Sequence, residues 1–176
     1  MTQSSNDDFT QGEHWLERRG FNLRAVLDVR AFPRDLAAAW DQTHIPRIPG
    51  QRLVILGMGG SALWDWMSTQ DLSHDADPFD EVSRCAALEV AERFWGDPTP
   101  RLLYPGDALI PLQQLGRWAG WSVPSPLGLD VSPIFGPWLA FRAAMLTVAA
   151  LPFSERGPAV SPCDTCEDPP CIRTCP

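Results

Sequence analysis

The residues of this chain whose types and spacing can do chemistry are four cysteines near its end: Cys163, Cys166, Cys171 and Cys175. Their pattern is C-x2-C-x4-C-x3-C-P. Thiolates ligate iron–sulfur clusters, and the corresponding run of bacterial ferredoxins is C-x2-C-x2-C-x3-C-P, so the two patterns differ only in the middle gap. The spacing therefore predicts a 4Fe–4S cluster held by these four cysteines.

Three other interpretations of the cysteines stay open. A zinc knuckle is similarly compact, but it takes a histidine as its third ligand and has a longer last gap. Structural disulfides form in oxidising compartments, and unligated surface thiols would make the spacing a coincidence. In two-cluster ferredoxins the fourth cysteine of the run serves the other cluster. The ending at Pro176 therefore predicts a natural chain that continues, with a second ligand set downstream.

A glycine-rich turn is the second candidate site, and its residues are Gly57, Gly59, Gly60 and Ser61. The turn follows the apolar run 53–56 and precedes a predicted helix over Ala62–Met67, so it fits G-x-G-x-x-A. That pattern places a pyrophosphate, such as that of a flavin nucleotide, at a helix N-terminus. The acidic residue that accompanies such a site on a second strand is missing. This favours the alternative, a tight strand-to-helix turn.

The charge of the chain excludes several classes of function. The formal net charge is −8, and all fourteen basic residues are arginines. Nucleic-acid binding needs a cationic face, which is absent, and lysine chemistry is excluded outright. No apolar run reaches the ~20 residues of a membrane helix. The polar, acidic N-terminus is unlike a signal or transit peptide, so we expect a cytoplasmic protein with no nucleic-acid or membrane partner.

The pattern of elements predicts one domain followed by the cysteine segment. Residues 1–12 are polar and predicted to be disordered, 13–153 form an α+β domain, and 154–176 form the iron–sulfur segment. Two-residue periodicity predicts a strand over 21–30, and the fully apolar run 53–56 predicts a buried strand over 52–56. A weaker strand is predicted over Arg101–Tyr104. Helices are predicted after Pro33, over Ala62–Met67, from Pro78 and over 112–121. Residues 138–150 suit a helix and a strand equally well.

The stretch 124–146, PSPLGLDVSPIFGPWLAFRAAML, followed by the cysteine run, resembles a bacterial ferredoxin-like family. That family is distantly similar to epoxyqueuosine reductase and to CblC-type cobalamin-processing proteins, which share a Gly-x-Trp-Phe-x-x-Arg-like segment. The resemblance implies a flavin-nitroreductase-like sandwich, a sheet covered by helices, in which residues 138–150 form a strand. It also implies that FMN or cobalamin is bound, and that Arg142 matches an arginine that contacts glutathione in CblC proteins.

The apolar residues around Arg142 in the sequence also make it a candidate site residue. It lies within the apolar stretch 137–153, where a long cation must find a partner or reach solvent, and the partner can be an internal carboxylate or a ligand's anionic group. On a strand, alternation would put Leu139, Phe141, Ala143 and Met145 together in the core and leave Arg142 beside small alanines. The sequence therefore predicts either an internal ion pair or a ligand contact at this residue.

Taken together, these patterns predict an iron–sulfur electron-transfer protein that passes electrons to a flavin or corrinoid site, with a redox protein as partner. A homodimer is compatible with them. Two alternatives remain: a non-catalytic ferredoxin-like carrier, and a zinc-stabilised interaction protein. The chain departs from both named families, since it is shorter, has one cysteine run and offers no residue that matches a catalytic acid.

Overall fold

The computed structural model describes residues 2–70, 77–155, 160–167 and 169–174. The helices are α1 (Thr2–Glu17), α2 (Arg34–Asp41), α3 (Ala62–Met67), α4 (Pro78–Arg93), α5 (Leu112–Trp118) and α6 (Pro170–Thr174). The strands are β1 (Leu23–Leu27), β2 (Arg52–Gly59), β3 (Arg101–Tyr104), β4 (Val123–Pro124), β5 (Asp130–Val131) and β6 (Leu139–Thr147). A 3-10 turn, Val29–Ala31, follows β1.

A four-stranded antiparallel sheet with the order β1-β2-β6-β3 forms the centre of the domain. Its middle strands are apolar on both faces, because helices cover both. Val54 and Leu56 pack in a cluster with α1, α3 and α4, which we call the α4-side cluster. Leu53 and Ile55 pack with α2 and α5 in the α2-side cluster. This layered arrangement confirms the predicted α+β class.

Most predicted elements form close to their expected bounds. Helix α3 and strand β3 have the predicted limits, and α4 begins at Pro78 as expected. The strand that the resemblance implied within residues 138–150 forms as β6, over Leu139–Thr147. Strand β2 differs, since it continues through Gly57 to Gly59 where the sequence predicted a turn. None of the helices in the described ranges is long and apolar enough to cross a membrane.

Residues 2–12 of the segment predicted to be disordered belong to helix α1 in the structure, and Met1 lies outside the described residues. The polar composition misled the prediction, because a few apolar residues at helical spacing hold this helix to α4. The ring centroids of Phe9 and Trp95 lie 6.3 Å apart, and those of Trp15 and Phe94 lie 5.9 Å apart. Tertiary packing therefore stabilises a helix whose own sequence gives little indication of one.

Helix α1 ends in a Schellman motif centred on Gly20. The amide of Phe21 donates to the Leu16 carbonyl, and the amide of Gly20 donates to the Glu17 carbonyl. Gly20 has φ +83°, the left-handed conformation that this motif requires. Leu16 and Phe21 are both fully buried in the α4-side cluster. The motif thus fixes the direction in which the chain enters β1.

A β-bulge interrupts the pairing of β2 with β6 at Arg142. Leu56 pairs with Ala143 and Gly57 pairs with Phe141, so Arg142 is an extra residue on β6. A bulge of this kind places two residues of one strand opposite one residue of its neighbour. The alternation of side chains along β6 therefore changes phase at this point.

Because of the bulge, the side chains of β6 are distributed over the two faces of the sheet differently from the prediction. Leu139, Phe141, Ala143 and Met145 were predicted to share one face, as in a regular strand. In the structure Leu139 and Phe141 pack against the α2-side cluster, whereas Ala143 and Met145 belong to the α4-side cluster. The extra residue shifts the alternation by one position, which moves the second pair to the opposite face.

An ion pair between a partly exposed arginine and a buried carboxylate attaches the short β4–β5 ribbon to α5. The Arg117 guanidinium donates to both carboxylate oxygens of Asp130, with Nε–Oδ2 at 2.9 Å and Nη2–Oδ1 at 2.7 Å. The Ser122 hydroxyl donates to the same carboxylate at 3.1 Å. The Asp130 side chain is only 5% exposed, and its hydrogen bond raises the pKa of Arg117. The irregular segment before β6 is thereby fixed to the domain.

Candidate functional site

Arg142 is half-buried on the α4 side of the sheet. Its Nε donates to the carbonyl of Phe141 at 2.8 Å, and its guanidinium carbon lies 5.4 Å from the centroid of the Phe79 ring. Phe79 in turn stacks on Trp64 with ring centroids 6.0 Å apart and an interplanar angle of 15°. A cation against an aromatic face is stabilised by the ring quadrupole, which holds the guanidinium in place.

No carboxylate in the described part of the chain forms a salt bridge with Arg142. The internal ion pair, one of the two predictions for this residue, is therefore not formed among these residues. The neighbouring Ala140 and Ala143 are small. Among the described residues, only the Nε of the Arg142 guanidinium has a hydrogen-bond acceptor. The two Nη groups can donate to a carboxylate or phosphate.

Gly59 and Gly60 lie at the end of β2, next to the loop that leads into β6. The amide of Gly60 donates to the Trp138 carbonyl at 2.8 Å, and Gly60 has φ +70°. A Cβ on Gly59 would lie 2.1 Å from a ring carbon of Phe135. A Cβ on Gly57 would likewise meet the Trp121 ring at 2.9 Å. At both strand positions the missing side chain makes room for an aromatic ring of the protein itself.

Ser61 precedes α3 and makes no capping hydrogen bond to its backbone. Its hydroxyl donates instead to a carboxylate oxygen of Asp65 at 2.8 Å. An acidic side chain beside the first turn opposes the binding of an anion there. The pyrophosphate role of Gly57, Gly59, Gly60 and Ser61 therefore stays a prediction, and these contacts favour the alternative of a structural turn.

Exposed apolar side chains lie on α3 and on the segment that leads into β6, and the two segments approach each other where the Gly60 amide donates to the Trp138 carbonyl. Trp138 is 75% exposed, Ile134 is 81% exposed and Trp64 is 59% exposed. Together with Phe79 and Arg142 we call these residues the aromatic end. Large exposed apolar groups beside a cation are typical of a binding surface and not of a core.

Of the residues of the aromatic end, only Arg142 was predicted from the sequence to be part of a site. Tryptophans are on average strongly buried, as Trp15 and Trp40 are here, so a tryptophan does not by itself indicate a surface site. One signal was present, however. Trp64 and Trp66 are two positions apart on one short helix, so they cannot face the same side. One of the two had to point away from the core.

Three of the four cysteines, Cys163, Cys166 and Cys171, lie after the domain, in a turn and a short helix. The amide of Cys166 donates to the Cys163 carbonyl at 3.3 Å, and Cys171 lies in α6. All three are free thiols and at least partly exposed, whereas Cys175 lies outside the described residues. Within the described ranges no three His, Cys, Asp or Glu side chains are grouped closely enough to hold a metal ion. The donor chemistry fits a thiolate-ligated cluster, and the arrangement of the ligands around it stays a prediction.

The fold of this chain is similar to that of a protein of known structure. No protein-family model and no curated protein matches the chain. Among solved structures, it superposes on the B12-trafficking protein CblC of C. elegans, a homologue of human MMACHC, with a TM-score of 0.58. The fold resembles that of CblC. The two sequences are 13% identical, and the match covers 92% of this chain and 78% of CblC.

The likeness to CblC extends over nearly the whole described domain, so it is the architecture that is shared and not a single motif. At this level of identity the comparison establishes the α+β fold with an antiparallel sheet. The CblC part of the sequence resemblance is thereby supported at the level of the fold. The ferredoxin and epoxyqueuosine reductase parts of it stay predictions.

Proposed function

We propose that this protein binds a corrinoid at the aromatic end and acts in its handling or reduction. The observation that carries the proposal is the CblC-like fold over 92% of the chain. The aromatic end provides a second support, because it combines exposed Trp64 and Trp138 with the guanidinium of Arg142. A corrinoid is a broad, largely apolar ring that bears polar amide and phosphate groups, and such a ligand needs both features.

Each residue of the aromatic end has a separate role in the proposal. Trp64, Ile134 and Trp138 provide apolar surface that becomes buried when the ring binds. The Nη groups of Arg142 donate to a phosphate or amide oxygen of the ligand, while its Nε bond to Phe141 and its contact with Phe79 fix the fork beforehand. The bound corrinoid would supply cobalt redox and ligand-exchange chemistry. FMN, whose phosphate could use the same arginine, is the competing ligand.

The cysteine segment provides the proposed electron source. Cys163, Cys166, Cys171 and Cys175 would hold a 4Fe–4S cluster, which supplies single electrons at a potential set by the hydrogen bonds and burial around the sulfurs. With a net charge of −8, the chain suits a basic redox protein as electron donor. The non-catalytic carrier differs from this proposal only in lacking the corrinoid site, so ligand binding distinguishes the two.

Corrinoid binding is tested by titrating the purified protein with hydroxocobalamin, and separately with FMN, while following visible absorbance. We expect saturable binding of the corrinoid and a weaker or absent response to FMN. Arg142→Lys keeps the charge but loses the fork, so the affinity should fall about tenfold, the effect of one charge-assisted hydrogen bond. The melting temperature should stay near that of the wild type.

Arg84→Lys is the matched control, because Arg84 lies on the exposed face of α4 and pairs with Glu81. It should leave the affinity unchanged. No saturable corrinoid binding to the wild type would refute the proposal. If Arg142→Lys lowers the melting temperature strongly and spares the affinity, the arginine has a structural role.

The cluster is tested by anaerobic reconstitution with iron and sulfide, followed by metal analysis and visible absorbance. Serine at Cys163, Cys166 or Cys171 should abolish most of the charge-transfer absorbance, since each substitution removes a thiolate ligand. Cys85→Ser is the control, because Cys85 is a free thiol on α4, outside the cysteine run. A colourless protein that takes up one zinc ion per chain would establish the zinc alternative instead.

A further inference from the structure

A cavity of about 410 Å³ opens between α2 and α5, on the face of the sheet opposite Arg142. Small-molecule sites in proteins typically measure roughly 300–1,000 Å³. The residues that line it are Pro33, Asp35, Leu36, Gln114, Arg117 and Trp118. None of them belongs to the aromatic end or to the cysteine segment. The cavity is therefore a separate feature of the domain.

One residue of the cavity wall, Gln114, has a side-chain oxygen that accepts no hydrogen bond from the described residues. Its Oε1 is buried and has no hydrogen-bond partner among the described residues. Buried acceptors are nearly always paired, because an unpaired one has given up its hydration without compensation. The oxygen has no accessible surface in its present position, but Gln114 is also a wall of the cavity. Rotation of its side chain would let this oxygen accept a hydrogen bond from a ligand that binds there.

The charges of the wall favour a cation. Asp35 is exposed at the first turn of α2 and forms no salt bridge within the described ranges. Arg117, the positive residue of the wall, is already paired with the buried carboxylate of Asp130 through two hydrogen bonds. The charge that remains uncompensated at the cavity is therefore the carboxylate of Asp35. A positively charged ligand gains a partner there, whereas an anion would be repelled.

The remaining walls are apolar. Leu36 is buried in the α2-side cluster, and Trp118 packs against that cluster with part of its surface exposed. An indole and an aliphatic side chain provide a surface for a flat apolar body, and the indole also attracts a cation over its face. Because polar and apolar side chains both line the cavity, it favours an amphipathic ligand.

We propose that this cavity binds a small organic cation with N–H donors on a flat apolar body, such as an aryl amidine or a protonated aromatic amine. Its charged group pairs with Asp35 and donates to Gln114 Oε1, and its body packs on Leu36 and Trp118. The site does not depend on the proposed corrinoid function, because it shares no residue with the aromatic end. Failure of one proposal leaves the other standing.

The test uses two probes of the same shape, benzamidine and its neutral analogue benzamide, titrated into the full chain by calorimetry at millimolar concentration. We expect saturable binding of benzamidine, about tenfold tighter than that of benzamide, because only the amidine pairs with a carboxylate. Asp35→Asn should bring the two affinities together. Gln114→Leu, which keeps the volume but removes the acceptor, should weaken both probes.

Gln113→Leu is the matched control, since Gln113 is the exposed neighbour on α5 and does not line the cavity. It should leave both affinities unchanged. The proposal is overturned if benzamidine does not bind, if wild type binds both probes equally, or if phosphate binds in place of benzamidine. Equal effects of Gln113→Leu and Gln114→Leu would also overturn it. Because Asp35 is exposed, Asp35→Asn keeps the charge test valid even if Gln114→Leu folds poorly.

Discussion

Replacing Gly20 with alanine is expected to destabilise the protein by about 3 kcal/mol or more, since two penalties combine at this residue. The left-handed conformation of Gly20, with φ +83°, is unfavourable for any residue with a Cβ. The new Cβ would also lie 2.4 Å from the backbone nitrogen of Leu63 and 2.5 Å from the carbonyl carbon of Ala62. Backbone atoms of α3 cannot move aside as a flexible side chain can. Urea unfolding followed by tryptophan fluorescence measures the loss.

Gly50→Ala separates the two penalties. Gly50 has a closely similar φ of +86°, but a Cβ there would meet nothing within 4 Å. We expect Gly50→Ala to lower the free energy of unfolding by only about 1 kcal/mol, the cost of the backbone conformation alone. Equal losses for the two variants would show that the approach of α3 to Gly20 carries no energetic weight.

Removing the carboxylate of Asp97 is expected to destabilise the protein by about 3 kcal/mol, because three donors would lose their acceptor together. Asp97 is 3% exposed. It accepts hydrogen bonds from the Thr147 hydroxyl at 2.6 Å, the Val148 amide at 3.1 Å and the Thr99 amide at 3.1 Å. These bonds join the loop before β3 to the end of β6. Denaturant unfolding of Asp97→Ala measures the effect, with Asp107→Ala as an exposed control.

The same carboxylate predicts how stability depends on pH. Burial by itself raises the pKa of Asp97, but the hydrogen bonds from Thr147, Val148 and Thr99 outweigh burial and leave the pKa below its usual value. The stabilisation is therefore complete above about pH 4, the usual pKa range of an aspartate. It is lost as the pH falls through the folded-state pKa. We expect the difference in unfolding free energy between wild type and Asp97→Ala to shrink in acid; a constant difference would contradict this assignment.

The elements that sequence reasoning predicted are those whose pattern is local. The apolar run of β2 and the spacing of α4 contain enough information by themselves. Helix α1 was missed because its stabilising contacts, such as Phe9 with Trp95, join residues far apart in the chain. Strand β2 was cut short because Gly57 and Gly59 resemble a turn. In the structure they are strand glycines that make room for aromatic rings, a role that depends on residues after position 120.

The residues of the candidate site also fall into two groups, those that the sequence predicted and those that only the structure revealed. The cysteine run and Arg142 were found because each has an unusual residue type in an unusual setting. Phe79 and Trp64 were not, because only the folded chain brings a helix N-terminus and a separate short helix beside β6. The cavity between α2 and α5 left no pattern in the sequence. Asp35 and Gln114 are ordinary surface residue types, and their meaning comes from the geometry.

The bulge at Arg142 has a consequence for comparisons with homologous chains. Without this residue, β6 would alternate regularly from Leu139 to Thr147 and pair with β2 in one register. A relative with a regular strand must therefore align with a one-residue gap at this position. A chain with such a gap has no residue at the position of Arg142, whereas a chain that keeps the bulge can carry another side chain there. We therefore expect an alignment gap at Arg142 to identify chains that lack both the bulge and this cation.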